Sequence, residues 1–148
     1  MKFYRLKPEV AGGFGEDIVI DHSVSPPRID QLHYEFDGWF GDALLTSFPC
    51  FIVTERLANE LKRSNASGAG FADVKITQSS EFDELFPDVS LPKFLWLKIY
   101  GTPGKDDFGI SKDNRLVVSE GVLRLLKSAG LSYCDITDWT GDNAPTKN

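Results

Sequence analysis

Three polar residues at alternating positions, His33, Glu35 and Asp37, are the best candidates in this sequence for a catalytic or metal-binding group. Side chains two residues apart on an extended strand point to the same face, so an imidazole and two carboxylates would lie together. Such a group could hold a divalent metal ion or supply general acid and base catalysis. A solvated strand face shows the same alternation, and we favour that simpler interpretation. A small metal-dependent hydrolase built on these residues remains an alternative.

Two glycine-containing motifs resemble parts of nucleotide-binding enzymes but lack the residues that accompany them there. The run Gly12–Gly15 does not end in Gly-Lys-Ser or Gly-Lys-Thr, so it is predicted to be an ordinary loop. Asp107-Phe108-Gly109 matches the Asp-Phe-Gly of protein kinases, but no His-Arg-Asp and no glycine-rich ATP loop occur. Neither histidine has a Cys or a second His at the spacing of metal ligands on a helix. The sequence therefore predicts a protein that is not an enzyme and binds no metal or cofactor.

Charge is distributed unevenly along the chain. The segment between Arg28 and Arg56 contains no Lys or Arg and is rich in carboxylates and aromatic side chains. Some of these aromatic residues, such as Tyr34 and Phe36, alternate with polar residues as in a half-buried strand. We predict that these alternating rings belong to the core.

Trp39 and Phe40 fall outside that alternation, between Gly38 and Gly41, and are predicted to lie in a loop. Aromatic side chains ringed by carboxylates are suited to anchor a basic protein surface. Alternatively, both rings tuck under the loop and cap the core. We adopt the first interpretation, which predicts a partner-binding surface. Its residues are Asp37, Trp39, Phe40, Asp42, Asp106, Asp107 and Phe108.

Length and composition indicate a single domain over residues 1–140 and a polar, flexible tail over 141–148. The net charge of −6 argues against nucleic acid or an anionic membrane as partner, since both require clustered cations. It is compatible with a cationic protein partner. No apolar run is long enough for a signal peptide or a transmembrane helix, and both cysteines lie in apolar segments as free thiols. We therefore expect a cytoplasmic protein.

Hydrophobic patterning predicts an α+β fold, with a mixed sheet of about five to seven strands and two main helices packed on it. The clearest strand signals are the alternation over 28–36 and the apolar runs at 51–53 and 94–100. Thr54 and Ser119 are each followed by an acidic residue and an apolar stripe with helical spacing. Both are therefore predicted to be helix N-caps.

The two predicted helices belong to segments that resemble each other. Thr54 and Ser119 are 65 positions apart, and the lysines that end the helices, Lys62 and Lys127, keep this offset. The offset is consistent with two similar strand–helix–strand units. Any capped amphipathic helix between two strands looks alike, so internal similarity and coincidence both stay open at this point. On either interpretation these residues are predicted to be scaffold.

Four motifs occur together in an order that resembles a known family. They are Tyr34-Glu35-Phe36-Asp37-Gly38-Trp39, Phe48-Pro49-Cys50-Phe51-Ile52-Val53-Thr54-Glu55, Asp106-Asp107-Phe108-Gly109 and Leu116-Val117-Val118-Ser119-Glu120. Through them the chain, over roughly residues 1–136, resembles bacterial immunity proteins of polymorphic-toxin systems, specifically immunity protein family eleven.

The resemblance implies a small cytoplasmic protein, encoded beside a secreted toxin, that binds and neutralises the toxin in the producing cell. Many such toxins are nucleases delivered by contact-dependent or type VI secretion. The expected function is therefore binding and occlusion of a cognate, cationic toxin. The alternatives are the hydrolase built on His33, Glu35 and Asp37, and a non-enzymatic adaptor subunit.

Overall fold

The structure, a computed structural model, describes residues 1–141, so the predicted tail lies outside the described residues apart from Gly141. Thirteen strands and three helices in this range confirm the predicted α+β class. No helix within residues 1–141 combines the length and the apolar composition that crossing a bilayer requires. The elements are β1 (Phe3–Lys7), β2 (Gly12–Phe14), β3 (Val19–Asp21), β4 (Arg28–Gln31), β5 (His33–Phe36), β6 (Leu44–Ser47), β7 (Cys50–Thr54), α1 (Glu55–Arg63), β8 (Ala69–Ala72), β9 (Lys75–Gln78), α2 (Ser80–Leu85), β10 (Phe94–Ile99), β11 (Phe108–Ile110), β12 (Leu116–Ser119), α3 (Glu120–Ala129) and β13 (Asp135–Trp139).

The two main helices begin where the sequence predicts. The side chain of Thr54 accepts a hydrogen bond from the backbone N–H of Leu57 in α1, and Ser119 accepts one from Val122 in α3. Each cap satisfies one of the N–H groups that have no partner inside a helix. The short helix α2 is capped in the same way by Ser79. Both predicted N-caps are therefore confirmed.

Replacing either main N-cap by alanine is expected to lower the free energy of unfolding. Thr54→Ala should cost about 1 kcal/mol, because one helix N–H loses its acceptor. Ser119→Ala should cost about 2 kcal/mol, because its buried hydroxyl also donates to Asp107 at 2.7 Å. Urea unfolding measures both losses. Ser128→Ala, an exposed substitution within α3, is the matched control and should change stability little. Equal stability of all three variants would contradict the prediction.

Eight of the described strands form two four-stranded antiparallel sheets that share one topology. Their strand orders are β11-β12-β1-β13 and β6-β7-β10-β8. In each sheet a strand (β12 or β7) leads into a main helix, and the chain returns as the strand two places across (β13 or β8). The strand between them comes from elsewhere in the sequence. Two similar strand–helix–strand units are thus present, and their helices α1 and α3 contact each other.

The middle strands of the two sheets carry the same short pattern. One reads Lys-Phe-Tyr-Arg-Leu-Lys from Lys2, and the other reads Lys-Phe-Leu-Trp-Leu-Lys from Lys93. In each sheet the Phe of this pattern pairs with the N-cap residue of the unit, Ser119 or Thr54. The two patterns therefore occupy equivalent positions. The chain therefore contains an internal pseudo-repeat. Although β1 lies at the start of the sequence, it completes the sheet of the unit that ends with β13.

The sheets differ from the single mixed sheet that the sequence predicts. In addition to the two four-stranded sheets, β2-β5-β9 form a third sheet with β5 and β9 parallel, and β3-β4 form a hairpin. Gly12, predicted to be loop, begins β2, where a Cβ would lie 1.9 Å from the Glu35 carbonyl oxygen of β5. Alternation of apolar and polar residues identifies strands but does not show which strands pair. Glycines that let two backbones approach closely cannot be distinguished in sequence from glycines of a turn.

Two clusters of buried side chains hold these elements together. The first core joins α1 and α3 to the two four-stranded sheets and includes Leu57 and Leu126. The second core surrounds β5 and includes Tyr34, Phe36 and Phe94. Tyr34 and Phe36 thus belong to the core, as their alternation predicts. The second core lies beneath the loop that follows β5, which carries most of the predicted partner-binding residues.

Candidate protein-binding surface

The loop between β5 and β6 is closed by Asp42. This residue is only 2% exposed, and its two carboxylate oxygens accept hydrogen bonds from the backbone N–H groups of Ser132 and Tyr133, each at 2.8 Å. Asp42 therefore ties the loop to the segment that follows α3. A carboxylate buried and satisfied in this way has no free oxygen for a partner. The structure replaces the predicted partner-binding role of Asp42 with a structural one.

Asp107 makes the reciprocal contact between the two units. One of its oxygens accepts from the backbone N–H of Ser67 at 2.9 Å, and the other accepts from the hydroxyl of Ser119 at 2.7 Å. Ser67 and Ser132 are equivalent positions, each shortly after a main helix and 65 residues apart. Each unit thus supplies the carboxylate that holds the loop after the helix of the other unit. This reciprocity explains why Asp42 and Asp107 are placed inward.

The two residues that flank Asp107 in the sequence also have structural roles. Phe108 has 0% exposure and lies in the first core, so its predicted contact with a partner is corrected to a packing role. Asp106 is half-buried and accepts a hydrogen bond from the backbone N–H of Thr102 at 2.7 Å, which closes the turn before β11. These residues therefore contribute little to an exposed surface.

Trp39 lies over the second core instead of projecting into solvent. Its half-buried ring meets Phe94 edge-on, with the ring centroids 5.9 Å apart and the planes at 83°. The indole N–H donates to the backbone carbonyl of Asp42 at 2.9 Å. Of the two interpretations that the sequence leaves open, capping of the core describes Trp39.

Phe40, the next residue, has the opposite environment. Its side chain is 61% exposed and lies between two other rings, Phe86 at 5.9 Å and Tyr133 at 5.1 Å between centroids. Tyr133 is itself 54% exposed. We refer to Phe40, Phe86 and Tyr133 as the aromatic surface. Phe86 is half-buried and packs against the second core. Rings that contact one another at the surface in this way form an apolar patch, which is the usual centre of a protein interface.

The aromatic surface has an acidic environment. Its three rings come from three segments, 29–55, 76–92 and 128–146, none of which contains a Lys or an Arg. Asp37 is exposed and lies one residue before Gly38, where a Cβ would meet the Phe86 ring at 2.7 Å. The short helix α2, directly before Phe86, has three exposed carboxylates. These are Glu81, Asp83 and Glu84.

A further carboxylate lies behind the loop. Burial, followed by repulsion from Asp42, raises the pKa of Glu9, although a hydrogen bond from the backbone N–H of Phe40 opposes this rise. One carboxylate oxygen of Glu9 is buried without a hydrogen-bond partner among the described residues. Glu9 and Asp42 thus place two carboxyl groups beneath the aromatic surface. A nearby cation would relieve the repulsion between these two groups, so the pair favours a cationic partner over an anionic one.

The candidate catalytic or metal-binding group of His33, Glu35 and Asp37 is only partly assembled in the structure. His33 is buried, and its Nδ1 accepts from the backbone N–H of Asp17 at 3.1 Å, so Nε2 carries the proton and donates to Thr77 at 2.7 Å. The Thr77 hydroxyl in turn donates to Glu35 at 3.3 Å. Asp37 lies beyond the end of β5 and is exposed. Both ring nitrogens of His33 are therefore occupied, which disfavours the hydrolase alternative.

Comparison with known proteins does not place this chain in a family. No family model matches the sequence, and no similar protein was found among curated proteins. The resemblance to immunity proteins therefore stays a prediction carried by the sequence motifs. The structure adds two residues to the candidate surface, Phe86 and Tyr133. The signal that they share with Phe40 is the lack of Lys and Arg in their segments.

Proposed function

We propose that this chain is an immunity protein that binds and occludes a cognate cationic toxin through the aromatic surface. The observation that carries the proposal is the contact of exposed Phe40 with exposed Tyr133 and half-buried Phe86 in an acidic setting. Interfaces of this kind combine aromatic anchors with a charged rim, and the resemblance to immunity proteins supplies the class of partner.

The energetics of such a contact follow from its two components. Burying an exposed aromatic ring in a pocket of the partner supplies most of the affinity, and a few such rings usually dominate an interface. The surrounding carboxylates, of which Asp37 is the nearest exposed one in sequence to Phe40, accelerate encounter with a cationic partner. Occlusion requires only that the bound chain covers the toxin's active site or its substrate channel. A toxin that acts on nucleic acid has a cationic surface of this kind.

The decisive experiment measures binding to the toxin domain encoded beside the gene for this chain. Phe40→Ala is expected to weaken affinity by at least about thirtyfold, since truncating an aromatic anchor typically costs about 2 kcal/mol or more. Unfolding should be nearly unchanged, because the ring is mostly exposed. Phe48→Ala is the matched control, since Phe48 is 56% exposed and contacts none of the three rings.

The charge arm of the same experiment uses Asp37→Asn. Association with the toxin domain should become slower and less dependent on salt, whereas dissociation should change little. If Phe40→Ala and Phe48→Ala bind alike and Asp37→Asn leaves association unchanged, the interface does not lie on the aromatic surface. A neighbouring reading frame without a delivery domain or toxin domain would instead favour the adaptor alternative.

A further inference from the structure

A cavity of about 380 Å³ lies where the two units meet. Its floor is apolar and contains paired strand residues of both sheets, Leu6 opposite Leu116 and Leu97 opposite Phe51. These two pairs hold equivalent positions in the pseudo-repeat, so the cavity lies between the units. Small-molecule sites have volumes of about 300–1,000 Å³ and occur preferentially at interfaces between structural units. In size and place the cavity fits that class.

The charged groups around the cavity are all of one sign. Lys7, Lys98 and Arg115 line it, and no carboxylate does so among the described residues, although acidic residues outnumber basic ones in the chain by 22 to 16. None of the three cations forms an ion pair with a described residue. The Nζ of Lys98 lies 4.6 Å from the centre of the Trp96 ring, which also lines the cavity. Burial raises the pKa of Cys50 in the wall to about 12, so this thiol stays neutral.

The mouth of the cavity exposes apolar side chains. Val10 is 65% exposed and Phe48 is 56% exposed, and both line the opening together with prolines. Exposed large apolar residues beside a concave site are typical of a binding groove. The three cations are exposed residues, whereas the floor is buried. The site therefore offers apolar contacts inside and uncompensated positive charge at the edge.

The geometry points to a binding site for a small apolar anion, an alkyl or aryl carboxylate or sulfonate that is free in solution. Its apolar body fills the space above Leu6 and Leu97, and its anionic group meets Lys7, Lys98 and Arg115. Burial of the apolar body supplies most of the affinity, and the cations select for an anion. A cationic molecule with the same apolar body is repelled by the same three residues.

The test uses 8-anilinonaphthalene-1-sulfonate, an apolar sulfonate whose fluorescence rises in an apolar site. We expect a saturable increase with one dye bound per chain. Dodecanoate below its critical micelle concentration should displace the dye, whereas dodecyltrimethylammonium at the same concentration should not. Equal displacement by both amphiphiles, or an increase that does not saturate, would overturn the proposal, because either result means non-selective apolar binding.

Two charge reversals make the test specific to the cavity. Arg115→Glu should weaken dye and dodecanoate binding by about tenfold or more, because it replaces an attraction with a repulsion at the anionic group. Lys105→Glu makes the same change in net charge at an exposed residue that does not line the cavity, and should leave binding unchanged. Equal binding by the two variants would overturn the proposal.

The cavity proposal and the toxin proposal can be tested independently, so that either one can be contradicted while the other is retained. Phe48 lines the cavity mouth and Phe40 does not, so Phe48→Ala should weaken dye binding while Phe40→Ala leaves it unchanged. The toxin assay should show the reverse order. A chain that binds the dye selectively but no toxin retains the cavity proposal alone. A chain that binds the toxin but no dye retains the immunity proposal alone.

Discussion

Asp42→Ala is expected to lower the free energy of unfolding by about 3–5 kcal/mol, because two hydrogen bonds to a charged group are lost at a buried site. The backbone N–H groups of Ser132 and Tyr133 each donate to this carboxylate at 2.8 Å, and alanine leaves both without an acceptor. The loss is large because Asp42 is 2% exposed, which keeps water from replacing the carboxylate. Urea unfolding at neutral pH measures it.

Two further variants separate this structural role from a general effect of charge. Asp42→Asn keeps one acceptor oxygen but turns an amide donor towards the other N–H, so it should cost about 2 kcal/mol. Asp37→Ala removes an exposed carboxylate five residues earlier and should change stability by less than about 0.5 kcal/mol. Similar losses in the Asp37 and Asp42 alanine variants would show that the carboxylate of Asp42 does not hold the two units together.

The two main helices and the constant offset between their caps could be predicted because their signals are local, although the offset alone left open whether the two units are truly similar. A cap at Thr54 or Ser119, an acidic first turn and an apolar stripe all lie within about three turns of helix. The sheets could not be predicted in the same way. The strand between β12 and β13 is β1, more than 100 residues away along the chain, and its likeness to β10 becomes evident only when the register places both beside an N-cap.

For the same reason, local sequence patterns could not predict that the side chains of Asp42 and Asp107 point inward. A carboxylate beside glycines, as in Gly41-Asp42, is typical of an exposed loop. Its actual partners, at Ser132 and Tyr133, follow 90 residues later, and nothing near Asp42 indicates them. The sequence therefore predicts a surface acid where tertiary contacts require a buried acceptor.

The candidate surface was predicted in part. Phe40 is exposed in a loop, as its position between glycines indicates, but its partners Phe86 and Tyr133 come from two other segments. An aromatic surface assembled from distant segments has no periodicity to reveal it. The absence of Lys and Arg from all three segments is a weaker signal, since it also fits separate solvated loops. Only the fold shows that the rings meet.

Trp39→Ala is expected to lower the free energy of unfolding by about 3 kcal/mol, the lower end for loss of a large aromatic side chain, because the ring is only half-buried. The variant loses the edge contact with Phe94 and leaves the Asp42 carbonyl without its indole donor. Thermal and urea unfolding measure the loss. Toxin affinity, determined on the fraction that remains folded, should stay close to that of the unmodified chain.

The adjacent Phe40→Ala variant and a conservative substitution complete this comparison. Trp39→Phe keeps an aromatic ring over the second core but removes the hydrogen bond to Asp42, so it should cost about 1 kcal/mol. Phe40→Ala should have almost normal unfolding and weakened toxin binding, the reverse of Trp39→Ala. If Trp39→Ala instead unfolds normally and loses affinity for the toxin, the indole leaves the core on binding. The interface would then extend from the aromatic surface across the loop to Trp39.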